Sequence, residues 1–176
     1  LDSRGSQNFI ITGSGMYNTF IKGSPSWDNS IGDVLYFKNF NNVIIKDVTI
    51  MNAQFGCNFS SCNFVRFDSV KFLNLGASNS SDNFDLTKTK TQKQTIWASN
   101  TNNDGGAVYC QSCQEVNVIN SEISQCTTGL KLQNCNKGLI NNNYFNKTIK
   151  SAIVLNSSSS DGNNEIGRAH VWTPVT

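Results

Sequence analysis

The chain has one histidine, His170, and two prolines, Pro25 and Pro174, in 176 residues. A serine or cysteine nucleophile usually takes its base from an imidazole, so triad chemistry is disfavoured. A zinc site would need ligands beyond a single C-x-x-C pair, and histidine is nearly absent. Charged residues make up 15% of the chain, against about 25% in an ordinary globular domain. The net charge of +2 offers no strong field for nucleic acid or an acidic membrane surface. No apolar run approaches the roughly 18–20 residues of a spanning helix. Gly13-Ser14-Gly15 lacks the glycine or Lys-Ser/Thr of a phosphate cradle, and no EF-hand spacing occurs. Position 1 is Leu, with no signal-like leader after it. That start suggests a fragment.

In place of charge there is amide and hydroxyl: 26 Asn, 21 Ser and 13 Thr. Asn at this density favours turns and weakens helices. A repeat underlies it. VIIKDVTI at 43–50 aligns with VRFDSVKF at 65–72, and VNVINSEI at 116–123 with GLINNNYF at 138–145, each at an offset of 22. Apolar columns follow: Ile45, Phe67, Val118 and Ile140; Ile50, Phe72, Ile123 and Phe145; Phe37, Phe59, Cys110 and Leu132; Leu35, Cys57, Val108, Leu130 and Ala152. Asp47, Ser69, Asn120 and Asn142 form a polar column between them.

Each unit carries three short runs of apolar/polar alternation, the pattern of strands with one buried face. A unit of this length cannot bury that face alone, but stacked units can. The spacing therefore predicts an all-β solenoid of about 22 residues per coil, its strands pairing in parallel about 4.8 Å apart. Asn at the same tight turn in successive coils can then bond amide to amide up the stack. Asn120 and Asn142 are the best such pair.

The stretches NNVIIKDVTIMN, GGAVYCQSCQEVNVINSEIS and GLKLQNCNKGLINNNYFN resemble the right-handed parallel β-helix of pectin-lyase-like proteins. GGAVY and NNNYFN are also similar to the GGAI and FxxN repeats of polymorphic outer-membrane proteins and protist surface proteins. The resemblance covers about residues 32–164, and residues 8–23 look like an irregular first coil. It implies an extracellular or cell-surface location. Residues 77–104 break the register and read as a polar excursion between coils, with Trp97 a candidate anchor. The last segment, EIGRAHVWTPVT at 165–176, resembles a translated sequencing adapter and is set aside as a non-native tail. The expected domain is thus 1–164, and the set-aside tail holds the only histidine.

Cys110 and Cys113 form C-x-x-C, which alone suggests zinc or a redox pair. The repeat gives the same spacing another origin. Cys113 falls in the column of Phe40, Cys62 and Cys135, Cys57 in that of Leu35 and Val108, and Cys126 in that of Ala53 and Leu75. The six cysteines read as small buried hydrophobes, with an inter-coil disulfide (Cys113–Cys135, or one from Cys62) the alternative and no metal or cofactor expected.

Polysaccharide hydrolases of the resembled fold use clustered carboxylates on the outside of one strand ladder; its lyases use an Arg or Lys base with calcium held by Asp. That ladder should be 34–38, 57–61, 108–112, 130–134 and 152–155. Its predicted outward residues are Tyr36, Lys38, Asn58, Ser60, Tyr109, Gln111, Lys131, Gln133 and Ile153, with no carboxylate among them. Asp33, Asp68 and Asp104 read as turn or solvent-facing residues. Tyr36, Lys38, Tyr109, Gln111, Lys131 and Gln133 form a candidate glycan-contact strip, in which rings stack on sugar faces and amides bridge hydroxyls. The sequons at Asn58, Asn79, Asn146 and Asn156 are no more than this composition produces by chance. The function expected is a non-catalytic piece of a larger surface or extracellular protein, structural, adhesive or glycan-binding. Its partner would be carbohydrate or another surface protein. The alternative is the N-terminal part of a polysaccharide lyase or hydrolase whose catalytic coils lie further on.

Overall fold

A computed structural model describes residues 7–23, 32–76, 105–148, 150–156, 163–166 and 169–172. The predicted insertion at 77–104, with Trp97 and Asp104, lies outside the described residues. Seventeen strands fall into three sheets. Sheet 1 stacks β1 (Asn8–Thr12), β4 (Asn42–Lys46), β7 (Phe64–Asp68), β10 (Glu115–Ile119), β13 (Lys137–Asn141) and β16 (Asn163–Ile166). Sheet 2 stacks β2 (Phe20–Lys22), β5 (Thr49–Ala53), β8 (Lys71–Leu75), β11 (Glu122–Cys126), β14 (Asn143–Asn146) and β17 (Ala169–Trp172). Sheet 3 stacks β3 (Asp33–Lys38), β6 (Phe55–Ser60), β9 (Gly106–Gln111), β12 (Thr128–Gln133) and β15 (Ser151–Asn156). Every pairing is parallel and joins a strand to the one three places on. The chain therefore passes through sheets 1, 2 and 3 in turn and climbs one strand per circuit. This is a parallel β-helix solenoid, and among the described residues it contains no helix.

The predicted columns are the cross-coil pairs. Ile45 pairs with Phe67, Phe67 with Val118 and Val118 with Ile140. Ile50, Phe72, Ile123 and Phe145 do the same in sheet 2. Stacking places like on like, so the interior is a set of apolar files, each closed by the next coil. Phe37, Phe59, Phe67, Phe72 and Phe145 are all fully buried, and each contributes about 1.5–3 kcal/mol of transfer free energy. The rings of Phe37 and Phe59 lie parallel at 5.2 Å, while Phe67 meets Phe72 edge-on at 5.3 Å, both favoured aromatic arrangements.

Three left-handed corners per coil explain the Asn content. Asn39, Ser61, Ser112 and Asn134 turn sheet 3 into sheet 1; Asp47, Ser69, Asn120 and Asn142 turn sheet 1 into sheet 2; Asn52, Asn74, Gln125 and Lys147 bend the chain within or just after sheet 2. All have φ between 52° and 61°. Asn and Asp tolerate this region because their short polar side chains bond locally. The predicted ladder is present: Asn142 Nδ2 donates to Asn120 Oδ1 at 2.8 Å. Asn120 in turn donates to Asp68 Oδ1 at 3.1 Å rather than to Ser69. A second, buried rung joins Asn74 Nδ2 to Asn52 Oδ1 at 3.1 Å.

One expectation needs correction. Ile153, not Ala152, pairs with Leu130, and Val154 rather than Ile153 stands beside Lys131. The corner 147–150 after β14 holds one residue more than its equivalents, which slips sheet 3 by one at this coil and exchanges the faces. In addition, Glu165 and Ile166 lie in β16 and Ala169–Trp172 forms β17, so part of the set-aside tail pairs with β13 and β14. A parallel edge offers unpaired N–H and C=O groups to any extended segment. The pairing is a property of backbone geometry and is independent of the segment's origin.

Candidate functional site

Sheet 3 presents two neighbouring outward files. One runs Tyr36, Asn58, Tyr109, Lys131 and Val154; the other runs Lys38, Ser60, Gln111, Gln133 and Asn156. All six predicted strip residues stand in these files, so the structure brings them together on one face. Alternation is the cause, since Leu35, Phe37, Cys57, Phe59, Val108 and Cys110 point the other way, into or against the core.

The strip is braced by its own contacts. Tyr109 Oη donates to Gln133 Oε1 at 2.7 Å. Lys131 Nζ sits 5.3 Å from the centroid of the Tyr109 ring, within cation–π range. The Phe55 ring lies 6.1 Å from it, centroid to centroid, tilted 32°. Tyr109 is thereby held in place before any ligand arrives. Tyr36 is 39% exposed, and Lys38 and Gln111 are exposed at the strand ends.

Asp33 was missed. It opens β3 one residue before the expected window, and its Oδ2 and Oδ1 accept from Asn58 Nδ2 at 3.3 and 3.5 Å. It thus belongs to the strip. Burial pushes its carboxyl above the ordinary value, and the Asn58 amide only partly offsets this. Alternation gave no signal for it, because Asp33 shares the parity of the inward Leu35 and Phe37. Asp68 lies on the outer side of sheet 1. Burial pushes it up, but hydrogen bonds from Arg66 (2.8 Å), Asn120 and Ser69 together hold it below the ordinary value.

The cysteines are all buried and carry free thiols, so neither disulfide considered above is formed. They sit in the core cluster with the Phe, Val, Ile and Leu files. Cys62, Cys113 and Cys135 lie in one corner file, each directing its thiol at the carbonyl two residues back, 3.6 Å away. Burial pushes Cys126 up to about 12 and raises Cys57 and Cys110 as well, as desolvation of a thiolate requires. Among the described residues, no group of three or more His, Cys, Asp or Glu side chains is arranged to hold a metal ion.

The face can stack planar or ring-shaped ligands on tyrosine, donate from two ammonium groups and exchange hydrogen bonds through amides. Among the described residues its carboxylate is that of Asp33. No protein-family model, no curated protein and no solved structure matches the chain.

Proposed function

We propose that this chain is a non-catalytic β-helix module of a larger cell-surface or extracellular protein and that it binds carbohydrate on the outer face of sheet 3. The observation that carries this reading is the braced Tyr109: its hydroxyl is fixed by Gln133, and its ring is steadied by Lys131 and Phe55 beside it. Rigid aromatic rings contribute contact area at little entropic cost, since there are few torsions left to freeze on binding. Amides along the next file supply adaptable donors and acceptors. The solenoid gives such a strip a repeat of about 4.8 Å, so an extended polymer lying along the stack meets one outward side chain of each file per coil. Affinity electrophoresis through gels cast with soluble polysaccharides, backed by a glycan array, tests it. Binding that falls when Tyr36 and Tyr109 are both changed to Ala supports the reading; unchanged binding in a folded double variant overturns it.

A second reading, the N-terminal part of a polysaccharide lyase or hydrolase, is favoured by one observation, the raised carboxyl of Asp33 on the same face. A protonated acid there would suit a leaving-group oxygen. It requires a partner group from further coils. Release of reducing sugar or unsaturated product by the full-length protein, abolished by Asp33→Asn, would establish it.

A further inference from the structure

The corner where sheet 1 turns into sheet 2 carries a cleft of about 240 Å³, lined by Met16, Tyr17, Asn120, Ser121, Glu122, Asn142, Asn143 and Tyr144. It lies on a different sheet from the Tyr109 strip and has its own construction. In the first coil the chain between β1 and β2 departs from the two-residue corner of later coils and forms the loop Gly13–Thr19. That loop is pinned to coil two: Gly13 N donates to Lys46 O at 3.0 Å, Gly15 N to Asp47 O at 3.1 Å, and Thr49 N to Thr19 O at 2.7 Å. Thr49 Oγ1 also donates to Met16 O. The pinned loop holds Tyr17 over sheet 2. Its hydroxyl donates to Glu122 Oε2 at 3.0 Å, and its ring centroid lies 5.0 Å from Lys71 Nζ. Lys71 Nζ is 3.0 Å from Glu122 Oε1. Tyr144 stands on the opposite side of Glu122, its partner in the next strand.

The result is a carboxylate fixed by two donors between two exposed rings, Tyr17 at 61% and Tyr144 at 40% exposure. Each Glu122 oxygen has one bond and keeps room for a second, because a carboxylate oxygen accepts about two. The Asn120–Asn142 ladder forms the adjacent wall. There Asn142 donates one of its amide hydrogens to Asn120, and its own Oδ1 is an acceptor. Acceptors between aromatic walls suit a ring bearing several hydroxyls. The cleft holds about eight waters' worth of volume, room for one hexose unit. Among the described lining residues Glu122 is the one charged group, and Lys71 is already paired with it, so the cleft offers an acidic ligand no unpaired cation.

We propose that this cleft is a second carbohydrate subsite, selective for a neutral hexose unit stacked on Tyr144 and hydrogen-bonded through its hydroxyls to Glu122 and Asn142. It does not rest on the sheet 3 strip, whose two lysines would accept acidic and neutral sugars alike. Two faces with different charge preferences would let one stack engage two kinds of chain.

Saturation-transfer NMR with neutral hexose oligosaccharides and, separately, oligogalacturonate tests it. The expected result is transfer to the neutral oligomers, lost or weakened at least about tenfold (a change of about 1.4 kcal/mol) in Tyr144→Ala and in Glu122→Gln, and retained in Tyr109→Ala. Glu122→Gln keeps the shape of the side chain, so it decides the matter if Tyr144→Ala is misfolded by circular dichroism. No transfer to any neutral oligomer, or transfer untouched by either cleft variant, overturns the proposal. So does equal binding of oligogalacturonate that depends on Tyr144. Loss in Tyr109→Ala alone sinks the cleft and leaves the strip standing; loss in the cleft variants alone does the reverse.

Discussion

The two amide rungs allow a stability experiment in which the backbone is held constant and burial varies. Asn74 and Asn142 both occupy left-handed corners, with φ of 53° and 54°. Each donates Nδ2 to the Asn one coil below, at 3.1 and 2.8 Å. They differ in surroundings: Asn74 is fully buried and Asn142 is exposed. Replacing either by Ala brings the same conformational cost, about 1–2 kcal/mol for an L-residue held in the left-handed region. At Asn142 water takes over the lost bond, and the total should stay near that figure. At Asn74 the bond to Asn52 is lost inside the stack, where both side chains are buried, which adds about 1–3 kcal/mol. Asn74→Ala should therefore exceed Asn142→Ala by about 1–3 kcal/mol. Glycine separates the two contributions. Asn142→Gly should recover most of the loss, since glycine enters the left-handed region freely; Asn74→Gly should recover only the backbone part. Urea unfolding with linear extrapolation measures all four variants, with circular dichroism and fluorescence required to give coincident transitions. If Asn74→Ala and Asn142→Ala agree within about 0.5 kcal/mol, well under the loss expected for the buried bond, the buried rung contributes nothing through desolvation and the reasoning fails.

Phe72→Ala empties a file between Ile50 and Ile123 and removes a ring contact to Phe67; a loss of about 3–5 kcal/mol is expected in the same urea assay, and a loss below about 1 would contradict the closed-file interior. Gly105→Ala would bring a Cβ within 2.6 Å of Gln54 O and of Gly76 C, both main chain and unable to swing aside. It should lower stability by about 1–3 kcal/mol, whereas Gly32→Ala, with nothing near, should not. Asp68 has a folded pKa below its unfolded one, so its stabilising share is present above the unfolded value and is lost as pH falls through the folded one. Asp68→Asn should thus be less stable than the parent at neutral pH, with the gap closing below about pH 4; a gap independent of pH between 7 and about 3 would refute this.

The fold was legible because a solenoid writes its geometry into the chain at a fixed interval. Ile45 over Phe67 and Ile50 over Phe72 are close in space for the same reason they align at 22 residues. The Asp47–Asn142 corner was visible because three of its four residues are Asn or Asp or lie in an Asn run. The other two corners were not, since Ser61, Ser112, Gln125 and Lys147 are residues that take left-handed φ only when the stack imposes it. Ala152 was misplaced because periodicity carries no warning of a single added residue at 147–150. The six strip residues were found by alternation alone. Asp33 fell one place outside the window. The Tyr17–Glu122 bond spans 105 positions and joins an irregular loop to a regular strand, so no repeat could announce it.

The two sides of the segment 77–104 meet at a throat. Gly76 N donates to Ala53 O and Gly106 N to Gln54 O, so the coil closes as if nothing had been inserted. A side chain at Gly76 would strike Thr127, and one at Gly105 would strike Gly76 itself. Whatever leaves through that opening returns within a bond or two of where it left. Doubling its length would cost only about 0.6 kcal/mol of closure entropy, and the bonds of Gly76 and Gly106 to Ala53 and Gln54 could stay as they are. The molecule therefore has a socket: one point on a rigid rod where new sequence can be tried without renegotiating the rest.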